Sequence, residues 1–281
     1  MRSGGDQGDV DPLHAPLTYP GLPPRPPAAL LIGTDVFTVR PVRAPTPGEW
    51  LVMPAGPDVP AEAVDGGRPL DHVLWEEAVA AVGQRTPVLS VGSNASPARL
   101  RRKLASAGLR AVVPMTAVRA HGLAAGVSAH VSTPGYVPAT PVADPAAVAD
   151  LWVLWLDADG VRAVDGTEPN YQRRRVPPRY PIRLTSGVTV PGCRVYVSRH
   201  GCLAGSGGAP RHLTDQATLI SGLLAEVPGL AALAGATPAE WMRRTRDGRV
   251  REAIRCLFLA AGIVRDSGLG TGEQHDRAGS D

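Results

Sequence analysis

The chain has 281 residues, of which 43% are hydrophobic, 20% charged and 4% aromatic, with a formal charge of +3. That is apolar material for one large or two small domains with a real core. The basic excess admits anionic small molecules but does not demand nucleic acid. No run reaches the roughly 18 apolar residues of a membrane span.

The N-terminus, Met1-Arg2-Ser3-Gly4-Gly5-Asp6, has no apolar signal core,. Cys193, Cys202 and Cys256 form no CxxC pair and fit reduced thiols better than a disulfide framework,. These features read as a soluble, cytoplasmic protein with no membrane partner. The cationic residues are arginines with one exception, Lys103, in a chain with 32 Gly and 29 Pro.

Residues 1–28 are Gly/Pro-rich and read as a disordered or polyproline-like lead-in. Strand candidates follow at Val36-Phe37-Thr38-Val39 and Glu49-Trp50-Leu51-Val52-Met53,. The spacing over 71–80 predicts an amphipathic helix capped by Asp71, with Glu76 and Glu77 on a solvated face,. The stretch Pro87-Val88-Leu89-Ser90-Val91-Gly92-Ser93-Asn94-Ala95-Ser96-Pro97 then opens as a buried strand and breaks at Gly92. Asn94 or Ser96 can cap a helix over 98–104, with Pro97 in its first turn. Strand, tight loop and helix start gather free backbone N–H groups around one small space suited to a carboxylate or another anion.

Further strands are expected at 110–113, 115–119, 150–156, 182–184 and 193–197, with a short helix over 161–168. From about residue 213 the period becomes helical. Gly201 to Gly208 reads as a flexible connection over the pocket. It lacks the Lys-Ser/Thr of a phosphate loop.

A second motif lies some seventy residues after the loop, Val164-Asp165-Gly166-Thr167-Glu168-Pro169-Asn170-Tyr171-Gln172-Arg173-Arg174-Arg175-Val176. Together with Val91-Gly92-Ser93-Asn94 it resembles the γ-glutamylcyclotransferase-like superfamily, over about residues 87–200. Gly135-Tyr136-Val137-Pro138-Ala139-Thr140 and the strand at 151–156 resemble the intervening segments, in the same order. The resemblance implies an α/β fold of α+β type, with a small mixed, mostly antiparallel sheet or a partly closed barrel. On it the chain divides into the lead-in (1–28), a domain with an N-terminal extension (29–205), a helical extension (206–266) and a disordered tail (267–281).

The resemblance also implies a reaction. The α-amine of a γ-glutamyl group attacks its own γ-carbonyl and releases an amine and 5-oxoproline, with no cofactor and no metal. Such chemistry needs an anchor, a donor for the oxyanion and one base that becomes an acid. By the resemblance, Gly92, Ser93 and Asn94 supply the anchor and Glu168 the base, in an apolar pocket. Val91, Tyr136 and Tyr171 line the substrate site. The partner is a small γ-glutamyl molecule rather than nucleic acid or membrane.

The chain departs from the family pattern at Val91, where the family has Tyr, at Ala95, where it has Leu, and at Pro169, where it has Gly. An intact Glu168 favours an enzyme, and Val91 favours a catalytically inactive binding module of the same fold. Two other readings are weaker. Arg173, Arg174, Arg175, Arg179 and Arg183 form a basic strand that could contact RNA, and His200-Gly201-Cys202 with Cys193 fits no usual zinc spacing. No Gly-x-Ser-x-Gly elbow marks a serine nucleophile.

Overall fold

The computed structural model describes residues 11–44, 46–54 and 67–269. Its elements run β1 (Ala28–Ile32), β2 (Asp35–Arg40), β3 (Leu51–Val52), β4 (Arg68–Pro69), α1 (Leu70–Glu76), β5 (Thr86–Ser90), α2 (Pro97–Ser106), β6 (Val112–Val127) and β7 (Ala139–Leu156). They continue with α3 (Ala158–Gly166), β8 (Tyr171–Arg175), β9 (Ile182–Leu184), β10 (Arg194–Ser198), β11 (Cys202–Leu203), α4 (Gln216–Glu226), α5 (Leu230–Ala234), α6 (Pro238–Arg244), α7 (Gly248–Ala260) and β12 (Val264–Arg265).

Ten strands form one mixed sheet in the order β4-β3-β2-β1-β6-β7-β5-β10-β8, with β9 on β6. All its pairings are antiparallel except β5 with β10. The fold is therefore mixed α/β with a mostly antiparallel sheet, as expected. It is larger than expected, because the two short strands anticipated at 110–119 are one sixteen-residue strand, β6. Its partner β7 begins at Ala139, not at residue 150.

The β6–β7 hairpin bends where the register shifts, with His121 opposite Val148 and Leu123 opposite Ala143. Gly122 sits there at φ +75°, and a Cβ on it would lie 2.9 Å from the Tyr180 ring, so the bend is built on a glycine,. The bend brings the start of β7 back toward β10, where Thr140 Oγ1 accepts a bond from the Ser198 N–H at 3.0 Å. The sheet curls without closing into a barrel.

Alternation along the strands fills two faces. Leu89, Val153 and Val195 belong to one core cluster with Trp50 and Leu74. Val88, Leu154 and Tyr196 face Leu100 and Leu104 of α2 and Val161 and Val164 of α3. The C-terminal helices bury Trp241, Ile254 and Phe258 against Val127, Val137 and Leu203 at the far end of the hairpin.

Two local expectations change. Asp71 does not cap α1; it lies in the first turn, and its carboxylate accepts the Val82 N–H at 2.8 Å. The lead-in is not disordered where it is described. Asp11 and Tyr19 are buried, and a short 3-10 turn spans Pro16–Thr18. Residues 1–10 and 270–281 lie outside the described residues. No helix among the described residues is long and apolar enough to cross a membrane.

Candidate active site

Strand β5 carries the chain into the site. Val88, Leu89 and Ser90 are buried, and the chain then leaves the sheet at Val91-Gly92. A 3-10 turn over Ser93–Ala95 follows. Of the two candidate caps, Ser96 serves α2 by accepting the Arg99 N–H at 3.3 Å, with Pro97 at the first helical position,. Asn94 is thus free to turn elsewhere. A Cβ on Gly92 would lie 2.5 Å from Tyr19 Oη and 3.0 Å from the Ala139 Cβ, so only glycine fits this approach.

Helix α3, capped by Asp157 through the Gly160 N–H at 2.8 Å, ends at Gly166. The next turn holds Glu168, whose carbonyl accepts the Tyr171 N–H at 3.0 Å as β8 begins. Because β8 is antiparallel to β10 and β10 parallel to β5, the start of β8 lies at the same end of the sheet as the Gly92 loop. Glu168, Val91, Gly92, Ser93, Asn94, Tyr136 and Tyr171 all border one cavity of about 260 Å³.

The glutamate is not a solvated surface group, since its side chain is only 16% exposed. Asn94 Nδ2 donates to Glu168 Oε1 at 3.1 Å. Lys103 Nζ donates to the same oxygen. Glu168 Oε2 has no such bond among the described residues. The Asn94 Oδ1 atom is buried and without a hydrogen-bond partner.

Lys103 is the residue that the sequence reading passed over. It occupies a position on the buried stripe of α2 with Leu100 and Leu104, and a lone lysine at that spacing is the signal that could have found it. Burial pushes its ammonium below the ordinary lysine range, opposed by the adjacent Glu168 carboxylate.

Tyr19, from the supposed lead-in, is the second missed residue. Its ring stacks on Tyr136 at 4.2 Å between centroids, and its Oη accepts the Ala139 N–H at 2.8 Å. Tyr171 Oη donates to the Ala139 carbonyl at 2.8 Å, so two tyrosines hold both backbone polar groups of one residue. Tyr19, Tyr136, Tyr171 and Tyr196 are all raised above the ordinary tyrosine range, chiefly by burial, and stay neutral phenols. The cavity therefore sets one carboxylate and two cations, Lys103 and Arg99, among neutral aromatic walls.

Behind Tyr171 lies a chain of neutral polar groups. Ser128 Oγ is 2.6 Å from His130 Nδ1 and donates to Ser198 Oγ at 2.7 Å. His130 lies tilted against His200, with ring centroids 4.6 Å apart, and His200 Nε2 bonds Asn170 Oδ1 at 3.0 Å. Burial first, and then His200, hold His130 down at about 3. Ser128 is fully buried and does not border the cavity.

The other sequence candidates are engaged elsewhere. Arg173 forms a two-point pair with Asp165, both bonds at 3.0 Å, and Arg174 bonds Gln172 at 2.8 Å. Cys193 is packed in the core, and Cys202 in a separate cluster with Ala124 and Val142. No group of three or more metal-ligating side chains occurs among the described residues. Gly201 to Gly208 contributes nothing to the cavity wall; it enters β11, which pairs with β12.

No protein-family model and no curated protein matches the chain. Solved structures are similar to it, two of them as follows. One is titled a γ-glutamyl cyclotransferase, with 11% identity and a TM-score of 0.34 over 61% of this chain and 98% of that one. The other is an uncharacterised human protein, with 13% identity and a TM-score of 0.34 over 61% of this chain and 99% of that one. At these values the likeness says nothing about chemistry.

Proposed function

We propose that the protein is a γ-glutamylcyclotransferase-like enzyme that converts a γ-glutamyl amide or peptide to 5-oxoproline and a free amine. The observation that carries this reading is that Glu168 and the Gly92–Asn94 loop border the same cavity, with Asn94 bonded to the Glu168 carboxylate. The cavity volume of about 260 Å³ lies close to the roughly 300 Å³ lower bound of small-molecule sites. It suits a small amide rather than a polymer.

The nucleophile belongs to the substrate. Glu168 takes a proton from the substrate α-ammonium through Oε2, the α-nitrogen bonds to the γ-carbonyl carbon, and negative charge gathers on the carbonyl oxygen. In this reading backbone N–H groups of the Gly92–Asn94 loop donate to that oxygen. Glu168 returns that proton to the leaving nitrogen and takes the surplus proton from the ring nitrogen. The bond from the γ-carbon to the leaving nitrogen breaks as the carbonyl re-forms, and the second proton passes through Glu168 to the released amine, which departs as an ammonium. Atoms balance without water. The aromatic walls keep the ring-closing conformer folded and exclude solvent.

The test is release of 5-oxoproline from a panel of γ-glutamyl amides and peptides, with wild type beside Glu168→Gln. Release that falls by about a hundredfold or more in the variant is expected. A second reading, a binding module without turnover, draws on Val91 and on the Glu168–Lys103 pair, since an ion-paired carboxylate is a weaker base. Saturable binding of the panel with no 5-oxoproline release by wild type would establish that module instead.

A further inference from the structure

The only lysine of the chain is buried against the candidate base, while the same helix carries Arg99, Arg101 and Arg102. What distinguishes a lysine at this place is geometric. A guanidinium is a planar fork that takes both oxygens of a carboxylate, whereas an ammonium is a point charge that can take one. The molecule contains both cases. Arg173 closes on Asp165 through Nε to Oδ1 and Nη2 to Oδ2. Lys103 meets only Oε1 of Glu168, and Asn94 meets that same oxygen.

We propose that Lys103 is a positioning residue for the base. Its ammonium, with Asn94, pins Glu168 by Oε1 and leaves Oε2 open toward the substrate. An arginine at this position would hold the charge but cover the working oxygen. This role rests on the cyclotransferase reading for its activity arm, and has a second arm that does not.

The groups facing the pair come from every element around it. Arg99 lies on α2, Tyr19 on the N-terminal segment, Tyr136 before β7, Tyr171 on β8 and Tyr196 on β10; His130, between β6 and β7, also borders the cavity and is held down at about 3 by burial, and Asp11 lies 3.9 Å from Arg99. The four tyrosines are neutral phenols, and arginine keeps its charge throughout.

The activity arm measures kcat and KM against pH for wild type, Lys103→Arg and Lys103→Met. In Lys103→Met the acid limb of kcat/KM moves up by about one pH unit or more, because the carboxylate has lost its nearest cation. In Lys103→Arg the limb does not rise, but kcat falls tenfold or more at every pH while KM changes little. Equal losses in both variants with no movement of the limb, or full activity of Lys103→Arg, would overturn the proposal. Lys103→Arg retains the ion pair and so decides the matter where Lys103→Met does not fold.

The second arm needs no turnover. Lysine labelled with ¹³C at Cε gives a single side-chain signal, since there is one lysine, and its titration is followed in wild type and in Glu168→Gln. The midpoint falls by about one pH unit or more in Glu168→Gln, where the carboxylate no longer favours the ammonium. An unchanged midpoint shows that Lys103 does not pair with Glu168 and refutes the proposal. Absence of 5-oxoproline release from wild type, with the shifted lysine signal present, rejects the cyclotransferase reading and leaves the pinned carboxylate standing.

Discussion

Two polar clusters border the same sheet end and meet burial in opposite ways. The Ser128–His130–Ser198–His200–Asn170 chain is neutral, and its members bond one another at 2.6–3.0 Å. The Glu168–Lys103 pair is charged, has a neutral helper in Asn94, and leaves one carboxylate oxygen and one amide oxygen without a partner among the described residues. A buried polar group costs little when every donor and acceptor is used, and is retained incomplete where something else completes it. The first cluster braces the strands, although His130 and Asn170 at its edge also border the cavity, and the second is left for a ligand.

Removing one half of the charged pair is the harshest way to break this contrast. Lys103→Met strands a carboxylate in a largely aromatic pocket, and unfolding in urea is expected to show a loss of about 3–5 kcal/mol at neutral pH. Adding Glu168→Gln to the same chain should restore much of it, since no charge is then left alone. If the double variant is as unstable as the sum of the singles, the two side chains do not interact, and the contrast fails.

The neutral cluster answers to pH instead. His130 is held at about 3 in the folded protein, while the unfolded chain takes up the proton near 6.5. As pH falls below about 6.5 the unfolded state binds the proton first, so stability is fully present above that value. It drains away at about 1.4 kcal/mol per pH unit toward 3. His200, also lowered by burial, adds in the same direction. Between pH 6.5 and 4.5, wild type should lose about 2–3 kcal/mol more than His130→Asn. Parallel loss in the two proteins would mean that His130 is already charged in the fold.

What could be read beforehand was local. The Gly92 break, the cap before Pro97 and the Glu168 motif each lie within a dozen residues, and the residues they name share one cavity. The long hairpin was hidden because Pro114 and Gly122 interrupt a stretch that is apolar on both faces, so neither alternation nor length marks it as one strand. Lys103 was legible in principle, as a charge on an apolar stripe, but its partner is 65 residues away. Tyr19 was not legible. It sits among prolines with no period, and its burial depends on a bond to Ala139, 120 residues on.

That long-range bond carries the smallest predicted effect and the sharpest test of where the site ends. Tyr19→Phe keeps the stack on Tyr136 and removes the acceptor for the Ala139 and Ser93 N–H groups, so about 1–2 kcal/mol of stability should be lost,. The Tyr171 bond to the Ala139 carbonyl stays in place, which holds Ala139 near its position. The consequence should fall on substrate rather than on the proton: KM for a γ-glutamyl amide rises severalfold, while the pH limbs stay where wild type has them, because Glu168 keeps Asn94 and Lys103. A shifted limb with unchanged KM would place Tyr19 in the base's own circle and blur the division between pinned charge and neutral wall.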